Sequence, residues 1–169
     1  MKAKLIIEDK EIEIEISEEE YKKLQPSEEK KTGYERVAKP SVYFYVSYND
    51  KVDTTIEDCY DVDDECYESA NYYSDKTVAE NNARADKLMR QLRRFAVQHR
   101  EREVDFNDTN TEKYYIYYDY GNDELGVSLV FRSKNFGAIW FDSEETAQAA
   151  IDKFHDELIW YFTEYKDSL

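Results

Sequence analysis

Apolar residues recur along this chain with two different periods, and each change of period marks a new element. Over residues 2–16, Leu5 and Ile7, then Ile12, Ile14 and Ile16, alternate with Glu11, Glu13 and Glu15. A period of two predicts a β-hairpin, turning at Glu8, Asp9 and Lys10. Ser17 followed three residues later by Glu20 is a capping-box pattern, so a short helix is expected before Pro26. Residues 25–41 are polar, hold Gly33, Pro26 and Pro40, show no sustained period and read as a linker. An aromatic strand at 42–46, a turn at Asn49-Asp50 and a strand at 51–56 follow. An acidic loop comes next, then a short strand near Tyr72 and Tyr73. Residues 72–103 then run without Gly or Pro. There Val78, Asn82, Ala85, Leu88, Met89, Leu92, Phe95, Ala96 and His99 recur every three or four positions, which places them on one stripe of a long helix.

The pattern then repeats. Residues 113–119 form a second Tyr-rich strand, and Gly121-Asn122-Asp123 is a turn signal. Leu125, Val127, Leu129 and Phe131 alternate with Gly126, Ser128, Val130 and Arg132 in the next strand, and residues 136–141 supply a third. A helix from Ser143 carries Ala147, Ala150, Ile151, Phe154, Leu158 and Phe162 on one stripe. The helix entrance Tyr73-Ser74-Asp75 is echoed by Phe141-Asp142-Ser143. The expected fold is therefore α+β: two tandem β-β-β-α units, each a small antiparallel sheet covered by one long helix, behind an N-terminal hairpin and short helix. The expected divisions are 1–24 for hairpin and short helix, 25–41 for the linker, 42–106 for the first unit and 107–169 for the second.

Charge changes the picture more than length does. A chain of 169 residues with a formal net charge of −16 lies near the composition of disordered proteins. Sixteen tyrosines counter that, because their rings bury large areas while the hydroxyl keeps a polar partner. No charged leader precedes an apolar segment and no apolar run is long enough for a bilayer, so a cytoplasmic protein without membrane contact is expected. Cys59 and Cys66, with no histidine nearby, read as free thiols rather than a zinc site.

The segments TGYERV (32–37), NYYSDKTVAENNARADKLMRQLRRFAVQH (from 71), KYYIYYDY (from 113) and FGAIWFDSEETAQAAIDKFHDELIWYF (from 136) carry a resemblance. They resemble a family of small accessory proteins of phages and integrative elements in Firmicutes. The resemblance implies a mobile-element accessory role, a class that includes inhibitors of host defence such as anti-CRISPR inhibitors of Cas9. It supplies no catalytic residues.

The densest charge block lies between Val52 and Asp75, with nine acidic residues and no basic one. Asp53, Glu57, Asp58, Asp61, Asp63, Asp64, Glu65 and Glu68, interleaved with Tyr60, Tyr67, Tyr72 and Tyr73, are the candidate partner-binding residues. Such a surface imitates the phosphates and rings of DNA and is drawn to Lys/Arg grooves. The partner it suggests is a basic DNA-binding protein, with Cas9 or its guide-RNA complex the specific expectation. The plainer reading is a solvated loop. The alternative site is the basic side of the long helix, Arg84, Lys87, Arg90, Arg93 and Arg94, which would touch nucleic acid directly or pair internally with carboxylates. DVDDE at 61–65 lacks the alternation and terminal Glu of a calcium loop. With His99 and His155 the only histidines, and no phosphate loop or nucleophile elbow, neither an enzyme nor a cofactor or metal site is expected.

Overall fold

The computed structural model describes residues 2–7, 10–15, 17 and 31–168, the first two stretches as backbone only. The chain divides into two compact units, Met1–Lys31 and Thr32–Leu169. In the first, β1 (Lys2–Ile7) and β2 (Lys10–Glu15) pair antiparallel with Leu5 opposite Ile12 and Ala3 opposite Ile14. Lys10 thus belongs to the strand rather than the turn. The short helix expected after Ser17 lies outside the described residues.

The second unit is α+β. β3 (Val42–Val46) pairs antiparallel with β4 (Val52–Ile56), and α1 (Asp61–Glu68) follows. Next come α2 (Lys76–His99), the hairpin of β5 (Lys113–Asp119) and β6 (Glu124–Val130), and α3 (Glu144–Thr163). The third strand expected in each half is a single bridge: Tyr73 to Phe44 in one, Phe141 to Tyr114 in the other.

Both long helices begin where the caps place them. Asp75 accepts from the N–H groups of Thr77 and Val78, and Ser143 Oγ accepts from Thr146 N–H, so donors left over at each first turn are satisfied. α2 ends at His99 rather than near 103, because Arg100 is already extended. α3 bends at Phe154, whose backbone leaves helical geometry.

Two apolar clusters hold the unit. Tyr73, Val78 and Ala79 pack with Tyr34, Phe44, Val46 and Val52. Leu88, Leu92, Phe95 and Ala96 pack with Phe141, Ala147, Ala150, Ile151 and Leu158, joined by Ile116, Leu125 and Val127 from the second hairpin. α2 therefore serves both clusters, its first turns covering the first hairpin and its later turns meeting α3. His99 continues the stripe only as an exposed ring stacked on Phe95, 3.9 Å between centroids.

The segment read as a linker is only partly one. Residues 32–40 lie on the β3–β4–α2 layer: the Gly33 carbonyl accepts from Ser74 N–H at 2.7 Å, Tyr34 packs on Tyr73, and Glu35 accepts from Ser74 Oγ at 2.9 Å. Gly33 is required there, since its φ is +92° and a Cβ would stand 2.6 Å from Val78 Cγ2. No described helix is long and apolar enough to cross a membrane.

Candidate functional site: an acidic helix on a tyrosine–carboxylate base

The acidic stretch is not a loop. Residues 61–68 form α1, although DVDDECYE is a poor helix former with no apolar stripe. Asp63 makes the difference: its Oδ2 accepts from the N–H groups of Tyr60 (3.0 Å) and Asp58 (3.1 Å), satisfying the approach to the helix from inside. Its Oδ1 accepts from the buried Tyr43 hydroxyl at 2.9 Å.

Glu57, directly after β4, does parallel work. It receives a bidentate Arg36 guanidinium at 2.9 and 3.0 Å, the Cys59 N–H at 2.9 Å and the Tyr72 hydroxyl at 2.9 Å. Tyr72 in turn accepts from Val37 N–H at 3.1 Å and stacks on Tyr43 with centroids 3.9 Å apart. Two tyrosine rings, two carboxylates and one arginine thus form a closed polar layer beneath α1.

These contacts fix the charge states. The Arg36 hydrogen bonds hold the Glu57 carboxyl down to about 2 against the cost of burial, with Cys59 N–H and the Tyr72 hydroxyl adding to the effect. For Asp63, burial is the largest influence and acts upward, but the N–H groups of Tyr60 and Asp58 and the Tyr43 hydroxyl together outweigh it, and its pKa falls. Burial, then the bond to Asp63, pushes the Tyr43 phenol well up, and burial lifts Tyr72 to about 12. At neutral pH both acids are ionised and both phenols are neutral.

This sorts the acidic candidates. Glu57 and Asp63 are each only 1% exposed and cannot meet a partner, a revision of the eight-residue surface read from composition. Asp64 pairs with Arg36 at 2.6 Å, and Asp58 lies 3.9 Å from Lys39 Nζ. Asp53, Asp61, Glu65 and Glu68 are exposed and, among the described residues, have no cation partner. Tyr60, Val62 and Tyr67 are exposed beside them. Cys59 and Cys66 are free thiols. DVDDE lies within the helix, so its backbone does not wrap a cation, and no three metal-ligating side chains converge among the described residues.

The basic candidates divide as well. Arg84 forms a two-point pair with Glu157 of α3 at 2.8 and 3.2 Å and lies 3.9 Å above the Trp160 ring, so it ties the two helices together. Arg90 pairs with Asp50 in the β3–β4 turn. Lys87, Arg93 and Arg94 are exposed without an ion-pair partner among the described residues.

Sequence reasoning did not find Arg36, Tyr43 or Lys113. Lys113 is buried, with its ammonium donating to the carbonyls of Asp108, Thr111 (2.7 Å) and Phe131 (3.1 Å), which anchors the loop before β5. Nothing in the local pattern marks these residues, since their partners are brought in by tertiary contact. Comparison of the chain with protein-family models, curated proteins and solved structures finds no match.

Proposed function

We propose that this is a non-catalytic binding protein of a phage or mobile element, acting in the host cytoplasm. In this reading it inhibits a nucleic-acid-handling defence enzyme by seating an acidic surface in that enzyme's Lys/Arg groove. The observation that carries the proposal is the rigid support of α1. Buried Glu57 and Asp63 fix the helix, so Asp61, Glu65 and Glu68 are held outward beside the exposed Tyr60 and Tyr67, while Asp53 is exposed on β4. Carboxylates held in place lose little freedom on docking, whereas a solvated loop would have to be ordered first. The resemblance to mobile-element accessory proteins makes Cas9 the first target to test, because it holds DNA in basic channels.

The experiment replaces Asp53 and Asp61 with Asn and Glu65 and Glu68 with Gln, and leaves Glu57 and Asp63 in place. Circular dichroism should match the parent protein. Association with purified Cas9–guide complex should slow, inhibition of DNA cleavage should be lost, and the parent's affinity should fall as salt rises. Undiminished inhibition by the four-site variant would refute the acidic-surface reading.

Direct nucleic-acid binding is the second reading, supported by the exposed Lys87, Arg93 and Arg94, which have no ion-pair partner among the described residues. It is weakened by the internal pairing of Arg84 and Arg90. The architecture carries a related proposal, that the halves of the second unit descend from one β-β-β-α unit. In each half an aromatic residue bridges the first strand of a hairpin a few residues before a capped helix, Tyr73 before Asp75 and Phe141 before Ser143.

A further inference from the structure

The two hairpins of the second unit differ at their open edges. Tyr114 directs both its backbone N–H and its C=O to Phe141, at 3.0 and 2.9 Å, and therefore away from β6. Hydrogen-bonded and non-bonded pairs alternate along an antiparallel ladder. Leu129, opposite Tyr114, and with it Val127 and Leu125, must then turn their N–H and C=O groups outward from the β6 edge. Among the described residues nothing pairs with them. The same argument from Phe44 and Tyr73 makes Val52, Thr54 and Ile56 the outward residues of β4.

The β4 edge is protected against pairing with itself. An antiparallel pairing of two β4 strands centred on Thr54 would bring Asp53 diagonally against its own copy, and like charges at that distance repel. β6 has no such guard. Its one charge is Glu124, at the first position, and Leu129 and, just past the strand's end, Phe131 are 42% and 41% exposed. Centred on Val127, two β6 strands overlap along their whole length: Leu125 faces Leu129 of the other copy, Gly126 faces Ser128, and six backbone hydrogen bonds form from the outward groups. Glu124 then lies opposite Val130 of the second copy, and Arg132, two residues past the strand's end in a bend, brings a charge of opposite sign to the same end of the pairing. Neither Glu124 nor Arg132 has an ion partner among the described residues.

The helices fit the same arrangement. α3 contacts both β5 and β6, so it lies over the hairpin. Two hairpins joined through β6 set their midlines two strand spacings apart, about 9.6 Å, which is close to the packing distance of two helices, about 8–10 Å.

We propose that β6 is the interface of a homodimer, in which two copies of this chain join edge to edge in one antiparallel sheet with Val127 on the two-fold axis. The interface is separate from α1 and stands whether or not the acidic surface binds a nuclease. Because each chain carries a net charge of −16, the dimer tightens as salt rises, the reverse of the salt effect on an acidic surface binding a basic target.

The test is sedimentation equilibrium of the full chain at two salt concentrations, with residue-resolved amide exchange. The expected mass is twice 20.2 kDa, and the amides of Leu125, Val127 and Leu129 should gain protection as concentration rises, while those of Gly126, Ser128 and Val130 are protected throughout. Glu124→Arg should weaken the dimer several-fold by bringing a like charge to the end of the pairing that holds Arg132, and adding Arg132→Glu should restore it. Leu129→Lys should weaken it at least about tenfold. Circular dichroism checks that each variant is folded. A 20.2 kDa monomer at every concentration, or a dimer that forms while those three amides stay unprotected, would overturn the proposal.

Discussion

Gly33→Ala tests the seating of residues 32–40 on α2 more directly than any other single change. Two costs add. Alanine at a φ of +92° leaves the region that L-residues occupy comfortably, at a cost of about 1–3 kcal/mol. Its Cβ would also stand 2.6 Å from Val78 Cγ2, 3.1 Å from Val78 Cβ and 3.3 Å from Cγ1. Val78 is buried and β-branched in a helix, so it has essentially one rotamer and cannot swing aside; overpacking of this kind costs about 1–3 kcal/mol. The control is Gly137→Ala, where φ is +80° and nothing lies within 4 Å of the added Cβ, so only the conformational cost applies. Urea denaturation followed by circular dichroism should place Gly33→Ala about 1–3 kcal/mol below Gly137→Ala, with unchanged slope. In heat, each kcal/mol should appear as about 2–4 °C in Tm. In a Val78→Ala background the excess cost should shrink, because the obstructing methyls are gone. Equal stability of the two glycine variants would show that the segment does not rest on α2.

Glu57, held at about 2, favours the fold above its ordinary value of 4.5 and loses that contribution as pH falls toward 2, and Asp63, lowered from its ordinary 3.8, acts in the same direction. Acid unfolding of Glu57→Gln should therefore be less stable at pH 7 and flatter between pH 4.5 and 2 than the parent. The phenols work in the opposite direction. Tyr72 and Tyr73, raised to about 12 by burial, favour the fold below pH 10 and lose that contribution as pH rises through 12, so ultraviolet titration should show part of the tyrosine absorbance change coinciding with unfolding. Arg84→Ala should cost about 1 kcal/mol in urea denaturation, from an exposed ion pair and a cation–π contact each near about 0.5 kcal/mol. A nucleic-acid mobility shift, if one occurs at low salt, should be abolished by replacing Lys87, Arg93 and Arg94 with Gln, and its persistence in that variant would exclude the basic helix face.

The helices α2 and α3 were legible because a cap and a 3.6-residue stripe coincide at Asp75 and again at Ser143. The hairpins were legible because alternation is a local signal. α1 was not, since its eight residues have neither stripe nor propensity and become helical through Asp63, whose buried partner Tyr43 is 20 positions away. The docking of residues 32–40 was hidden for the same reason. It rests on Gly33 and Glu35 meeting Ser74, Tyr34 meeting Tyr73 and Arg36 meeting Glu57, distant partners that leave no period in the sequence. In the acidic stretch, composition located the block of charge but could not separate the carboxylates that carry α1 from those that face solvent. That separation depends on Arg36, 21 residues before Glu57.

The sharing of α2 between two clusters has a mechanical consequence. A repeat in which each helix closed only its own sheet could be cut between the copies and leave two foldable pieces. Here the turns of α2 that face the first hairpin and the turns that face α3 belong to one rod, so loosening either end strains the hydrogen-bond ladder leading to the other. Whatever the ancestry of its halves, the second unit is spliced into a single mechanical body: residues 42–106 expressed alone would leave Leu88, Leu92 and Phe95 facing water, and residues 107–169 alone would lack the wall against which α3 closes.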